Sequence, residues 1–247
     1  GLYSVAGATV SVTANVAAAE PSTNGGFVVT ISPVVSGATV VIYNVTGSTA
    51  ASGGDYFALS GSVTVADGVA TATIPVTIID DNVIEGDEKV VVNLISADNG
   101  QSIATGTAAV TISDDDNATV SIAATDAAAD EAGDPGEFTV TITDLASVDT
   151  VVAYTVAGTA LASDFTGPGT SVTIPAGSLT ATIAVSAVAD SIVEGDETVI
   201  VTLGSIAGDP DISLSATDSA TVTISDDDSA TVSIAATDAA ADEAGDP

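Results

Sequence analysis

The chain has 247 residues, with 34 Asp and Glu against a single basic residue, Lys89, and no His, for a formal net charge of −33. A charge of that sign repels nucleic acid and anionic membrane surfaces, so neither is an expected partner. A hydrophobic fraction of 46% with mean hydropathy +0.51 excludes a disordered acidic chain. No run of 18 apolar residues is present for membrane insertion, and the lack of Cys rules out disulfides and thiolate metal sites.

The chain repeats itself. Residues 8–20 (ATVSVTANVAAAE) are a diverged copy of Ala118–Pro135 (ATVSIAATDAAADEAGDP), and those 18 residues recur unchanged as Ala230–Pro247, 112 positions on. EGDE stands at 85–88 and again at 194–197, each followed by a Val-rich run, and TISDDD stands at 111–116 and 223–228. These marks divide the chain into repeat one (1–117), repeat two (118–228) and the first strand of a third, truncated repeat (229–247). The period is too long for a solenoid coil and suits an independent sandwich domain. The short third piece cannot fold alone, so the polypeptide is expected to continue, or this strand to complete a neighbour.

Within the repeats the pattern is that of strands. Phe138, Val140 and Ile142 alternate with Glu and Thr; Val172 and Ile174, Ile183 and Val185, and Val222 and Ile224 follow in the same phase. Gly25-Gly26, Gly53-Gly54, Asp67-Gly68, Gly167-Pro168-Gly169 and Ala176-Gly177 separate the runs. The Ala run at 127–129 is too short and too closely flanked by acids to start a helix. Seven or so strands per repeat predict an all-β chain of tandem immunoglobulin-like β-sandwich domains. Only Asn117 separates TISDDD from the next ATVSI, so the domains are expected end to end.

The acids gather where strand patterns end. Repeat one groups Glu20, Asp55, Asp80, Asp81, Glu85, Asp87, Glu88 and Asp114–Asp116; repeat two groups Glu131, Asp164, Asp190, Glu194, Asp196, Glu197 and Asp226–Asp228. Turns at alternate strand ends share one end of a sandwich, and so many carboxylates together without Lys or Arg cost several kcal/mol, to order of magnitude. A hard divalent cation removes that cost. Calcium accepts six to eight oxygens in loose geometry, magnesium prefers more water, and zinc, copper and haem lack their His or Cys here. The plainer alternative is that acidic turns only keep the surface soluble, but three separated clusters recur together in both repeats.

The combination of GGDYFALSGSVTVADGVATATIPV (53–76), IIDDNVIEGDEKVVVNL (78–94), AAVTISDDD (108–116) and the early AAAE, matched in order in repeat two, resembles Calx-beta domains. The resemblance implies several calcium ions at one end of each sandwich. The implied ligands are Glu20, Asp55, Asp80, Asp81, Glu85, Asp114, Asp115 and Asp116 in repeat one, with Glu88 as a marginal addition. In repeat two they are Glu131, Asp164, Asp190, Glu194, Asp226, Asp227 and Asp228. Ala189 stands where repeat one has Asp80, so repeat two is expected to bind one ion fewer, or more weakly, unless Asp130 or Asp134 substitutes; Asp87 and Asp196 are expected to face solvent.

The expected function is that of an extracellular or cell-surface structural repeat. Calcium at the domain ends stiffens a stalk or filament of a large adhesin-like protein, whose partners are neighbouring repeats or identical subunits and whose adhesion ligand the sequence does not name. A calcium sensor needs an effector domain that these residues lack. A self-assembling filament using strand donation by 229–247 or by the N-terminal GLYSVAG is the other alternative. An enzyme is not expected, because the acid pairs come with no His, Cys or Trp and few aromatics.

Overall fold

Alternating Val/Ile and Thr/Ser residues fold as strands within residues 7–237, the part of the chain that the computed structural model describes, and no helix occurs among those residues. Repeat one runs β1 (Thr9–Val16), β2 (Ala18–Ala19), β3 (Gly25–Ser32), β4 (Thr39–Val45), β5 (Ser62–Val65), β6 (Thr71–Val76), β7 (Val83–Ile84), β8 (Glu88–Ala97), β9 (Ser102–Thr105) and β10 (Thr107–Ser113). Repeat two runs β11 (Ala118–Asp126), β12 (Ala128–Asp130), β13 (Gly136–Ile142), β14 (Leu145–Ala146), β15 (Thr150–Gly158), β16 (Phe165–Thr166), β17 (Ser171–Ile174), β18 (Thr180–Ala187), β19 (Glu197–Ala207), β20 (Ile212–Leu214) and β21 (Ser219–Ser225).

Each repeat is two sheets face to face. Repeat one has the orders β6-β3-β1-β9 and β2-β10-β8-β4-β5; repeat two has β16-β18-β13-β11-β20 and β12-β21-β19-β15-β17. The inward residues of each pair of sheets form a core mainly of Val and Ile, with Ala, Leu, Tyr and one Phe; Phe27, Val29 and Val90 are fully buried in repeat one and Phe138, Val140 and Val199 in repeat two. The Ala run at 127–129 contributes to β12, a strand.

One device carries the first strand of each repeat to the acidic end. After a register shift between Ala14 and Val16, the chain leaves β1 and crosses to the other sheet as β2, parallel to β10, with Ile112 opposite Ala18. Repeat two does the same: β11 shifts between Ala124 and Asp126, and β12 pairs in parallel with β21. The switch sets Glu20 and Glu131 beside the ends of the last strands, where the backbone N–H of Glu20 donates to Ser113 O at 3.0 Å and that of Glu131 to Ser225 O at 3.3 Å.

The repeats share a joint. β7, from the loop between β6 and β8, pairs in parallel with β14 of repeat two, with Val83 opposite Leu145 and Ile84 opposite Ala146. Ile84 is fully buried in the core of repeat two, not that of repeat one, and its carbonyl accepts the N–H of Ser147 at 2.9 Å. Residues 229–237 form no strand, and Val232 and Ile234 lie 100% and 99% exposed. Their counterparts Val120 and Ile122 are buried because β13 and β20 flank them, and the tail has no such neighbours among the described residues. Gly1–Ala6 and residues 238–247, the ends on which strand donation was considered, lie outside the described residues. No helix among the described residues is long and apolar enough to cross a membrane.

Candidate metal centre

The last strand of each repeat delivers its Asp triplet against the EGDE loop, and the first Asp ties the two together. Asp114 Oδ2 accepts the backbone N–H of Glu85 at 3.0 Å and of Gly86 at 3.2 Å, while its Oδ1 accepts that of Asp116 at 3.1 Å. Asp226 repeats the arrangement, accepting from Glu194 at 2.6 Å and from Asp228 at 2.8 Å. Asp81 and Asp190 close the front of the loop by accepting the N–H groups of Val83 at 2.8 Å and Ile192 at 2.6 Å. Asp55 accepts from Ala51, and Asp164 accepts from Leu161 at 2.5 Å and from the Ser163 hydroxyl at 2.8 Å. Much of the carboxylate set is therefore fixed by backbone donors.

The remaining oxygens converge. In repeat one, three groups have carboxylate oxygens within 4.8 Å of one another: Glu20 with Asp80 and Asp115, Glu20 with Asp114 and Asp116, and Asp55 with Glu85 and Glu88. In repeat two, two groups do so: Glu131 with Asp190 and Asp228, and Asp164 with Glu194 and Glu197. Of the residues singled out from the sequence, Asp81, Asp226 and Asp227 join none of these groups; Asp81 and Asp226 serve as loop fasteners whose charge still bears on Glu20, Glu85, Glu131 and Glu194. Ala189 removes the counterpart of Asp80, and the group it would complete is missing among the described residues of repeat two. Neither Asp130 nor Asp134 replaces it, since Asp130 Oδ1 instead accepts the N–H of Asp134 at 3.0 Å within their own turn.

Glu88, a marginal ligand by sequence, and Glu197, placed by sequence among the clustered acids but not among the ligands, both join converging groups. Both begin a strand, with Glu88 opposite Ile112 and Glu197 opposite Ile224. Glu88 lies in phase with the buried Val90 and Val92, so it points into the sandwich. The alternation of β8 and β19, run back into EGDE, is the signal that finds them.

Crowding without counter-charge perturbs the acids. Burial, then the charges of Asp114, Asp81, Asp116 and Asp80, pushes Glu20 up to about 7. Burial and Asp55, Asp81 and Asp114 push Glu85 to about 7, and burial with the hydrogen-bonded Asp55 pushes Glu88 to about 8. Burial also raises Asp116, Glu131, Glu194, Glu197 and Asp228. Asp164 moves the other way, lowered by the Ser163 hydroxyl and the Leu161 N–H.

Glu88 Oε2, Asp116 Oδ2, Glu131 Oε2 and Asp228 Oδ2 are buried without a hydrogen-bond partner. Such oxygens are costly to leave unpaired, and two agents satisfy them: protons shared between carboxylates, or a cation from solvent. The sole basic side chain, Lys89, is exposed and stands in no salt bridge among the described residues. An all-oxygen, multiply anionic donor set with no nitrogen or sulfur fits a hard divalent cation, of calcium type by ligand number and charge.

The family described as Calx-beta domain matches residues 13–116 and again 113–228. Among solved structures, the chain is similar to CBD12 from CALX1.2, at 21% identity over 87% of this chain and 99% of that one (TM-score 0.41). It is also similar to the calcium binding domain CBD12 of CALX1.1, at 18% identity over 85% and 98% (TM-score 0.39). The apo-form Calx CBD1 domain matches at 24% identity over 44% of this chain and 99% of that one (TM-score 0.40). No curated protein matches the chain.

Proposed function

The chain belongs to the Calx-beta domain family, and on that premise we propose that it is a calcium-binding structural array of an extracellular or cell-surface protein. Calcium at the acidic end of each sandwich is held by Glu20, Asp55, Asp80, Glu85, Glu88 and Asp114–Asp116 in repeat one. Glu131, Asp164, Asp190, Glu194, Glu197 and Asp228 hold it in repeat two, with capacity reduced by Ala189. Asp81 and Asp226 shape the loops that present these groups.

The observation that carries this reading is the set of buried, partnerless carboxylate oxygens at the end of each sandwich. In repeat one that end is also the joint. Ile84 immediately precedes Glu85, so the loop that lines the acidic cluster also reaches into the core of repeat two. Bound calcium neutralises the cluster and holds this loop, so metal affinity appears as folding and rigidity free energy. The role is mechanical and non-catalytic, in a stalk or filament segment of an adhesin-like protein, and millimolar calcium outside cells keeps even weak sites filled.

Thermal unfolding in EDTA and across a calcium titration, with magnesium as control, tests it. A calcium-specific rise in melting temperature is expected; equal curves in EDTA and calcium would leave the acids as solvating groups only and remove the mechanical role.

A further inference from the structure

Two Asn-Gly pairs occur in the chain, Asn24-Gly25 and Asn99-Gly100, and the fold treats them in opposite ways. Asn24 leads into β3: its Oδ1 accepts the N–H of Ile78 at 3.0 Å, and Gly25 stands opposite Val76 in the β3–β6 ladder. A Cβ at Gly25 would meet Val110 Cγ1 at 2.8 Å and Ala18 Cβ at 3.0 Å, so this backbone has no room to swing. Asn99 and Gly100 lie in the turn between β8 and β9, both exposed and outside any strand, with φ 56° and 74°. No atom beyond its chain neighbours lies within 4 Å of a Cβ built on Gly100. The Gly100 N–H donates no hydrogen bond among the described residues.

An Asn side-chain amide carbon is an electrophile, and the peptide nitrogen of the next residue is the nucleophile nearest to it. A following Gly leaves that nitrogen unshielded, because it carries no Cβ. Attack forms the bond from the Gly100 nitrogen to Asn99 Cγ while the Cγ–Nδ2 bond breaks, and Nδ2 leaves as ammonia with the proton that the Gly100 nitrogen gives up. Water then opens the resulting five-membered succinimide at one of its two carbonyls. Opening at Cγ leaves an aspartate, and opening at the main-chain carbonyl leaves an isoaspartate with the backbone routed through Cγ. Water is the only co-reactant. To attack, the glycine nitrogen must swing over the side chain; an exposed turn outside the ladders does so at little cost, whereas Gly25 must first leave a strand pairing.

We propose that Asn99-Gly100 is a site of spontaneous deamidation in the folded protein, and that the modification releases the turn at 98–101 from the loop before β4. Asn99 Nδ2 donates to Ala38 O at 3.1 Å and to Asp98 Oδ1 at 3.2 Å. The product offers only acceptors to those two oxygens and sets a second carboxylate beside Asp98. β8 starts with Glu88 at the acidic end and runs away from it to Ala97. The modified turn is therefore at the far end of the sandwich from the candidate metal centre, and the reaction is independent of calcium. Repeat two has no such site, since residues 208–211, Gly-Asp-Pro-Asp, make the same connection there.

Peptic peptide mapping by mass spectrometry follows both pairs in one folded chain during incubation at mildly alkaline pH. Conversion at Asn99 should run at least roughly tenfold faster than at Asn24, which must wait for the ladder to open. In urea, where neither pair is held, the two rates should come within about threefold of each other. Equal rates in the folded chain, conversion at Asn99 only in urea, or the same tenfold gap in urea would each overturn the site. Asn99→Gln, whose longer side chain needs a six-membered ring, should stay unmodified over the same incubation; conversion at the parent's rate would overturn the mechanism. Asn99→Asp tests the release: amide exchange in peptides covering 38–40 should quicken roughly threefold or more, as the loss of an exposed hydrogen bond allows. Exchange unchanged from the parent would overturn that part.

Discussion

Ile84 belongs by sequence to repeat one and by packing to repeat two, so its truncation should destabilise a domain in which it does not lie. It is fully buried among the core residues of repeat two and absent from the core of repeat one. An Ile→Ala change at such a position costs about 2–5 kcal/mol, and a joint made by a two-residue ladder can partly close over the gap, so about 2–3 kcal/mol is expected for I84A. At 1.4 kcal/mol per factor of ten, the opening equilibrium of repeat two should rise about 30- to 150-fold. Amide hydrogen exchange read by mass spectrometry measures this directly, using pepsin because Lys89 is the sole site for trypsin. Protection should fall by that factor in peptides covering β13 and β19, and stay unchanged in β3 and β8. The equivalent V193A, at a half-exposed site, should change neither repeat by more than about 0.5 kcal/mol. Loss of protection in repeat one with repeat two unaffected would refute the assignment of Ile84 to the neighbouring core.

Glu88→Gln should act with opposite signs in the two metal states. It removes a carboxyl that on folding must either take up a proton or stand as one more crowded charge, so the melting temperature in EDTA should rise, while calcium affinity read by titration calorimetry should fall roughly tenfold or more; a fall in both would mean that Glu88 is structural only. The pH dependence follows from the raised carboxyls. Glu20 and Glu85 near 7 and Glu88 near 8 hold more protons folded than unfolded, so the stability of the metal-free protein falls as pH rises from about 4.5 through about 8. Calcium must displace those protons, so its affinity should climb over the upper part of that window, and binding near pH 7 in weak buffer should release protons; calcium binding without proton release would contradict the crowding. Gly86→Ala should destabilise the joint, because Gly86 has φ 69° and a Cβ there would meet Asp209. Gly195→Ala, with open space around it, should leave the melting curve of this chain within about 0.5 kcal/mol of the parent.

The strands and the sandwich class were legible because alternation is a local property. Phe138, Val140 and Ile142 are buried as their phase requires, as are Ile183 with Val185 and Val222 with Ile224. The acidic end was legible in outline, since turns at alternate strand ends must meet, and Glu20, Asp55, Asp80, Glu85 and Asp114–Asp116 do converge. The division of labour among the acids was not legible. Asp81 and Asp226 look like ligands by composition, yet they join no group of converging oxygens, and the partner of Asp226, the Glu194 N–H 32 residues away, is a contact no local pattern encodes. Glu197 was readable but masked: EGDE looks like a turn, and only the phase of Val199 and Val201 reveals that its last Glu already stands on a strand facing inward.

Ile84 was hidden for a different reason. Ile84 and Val193 sit in the same local frame, an apolar pair between an Asp and EGDE, and their opposite burial follows the pairing of Val83–Ile84 with β14, which Ile192–Val193 lack among the described residues. The pair also explains how charge and packing meet in one segment. Between Asp81 and Glu85 only Asn82, Val83 and Ile84 intervene. Asp81 and Asp114 fasten the backbone on either side of the pair, and the carboxylates of the cluster repel one another when unprotonated and metal-free. That repulsion acts on the five-residue loop whose apolar pair is anchored in the next domain. Neutralising the cluster therefore steadies the residue that fills a neighbour's core, and the same loop in repeat two, with one acid fewer through Ala189, would be less strained when the metal is removed. An apo chain should for that reason loosen first at the joint behind Asp80 and Asp81, and later at the loop behind Asp190.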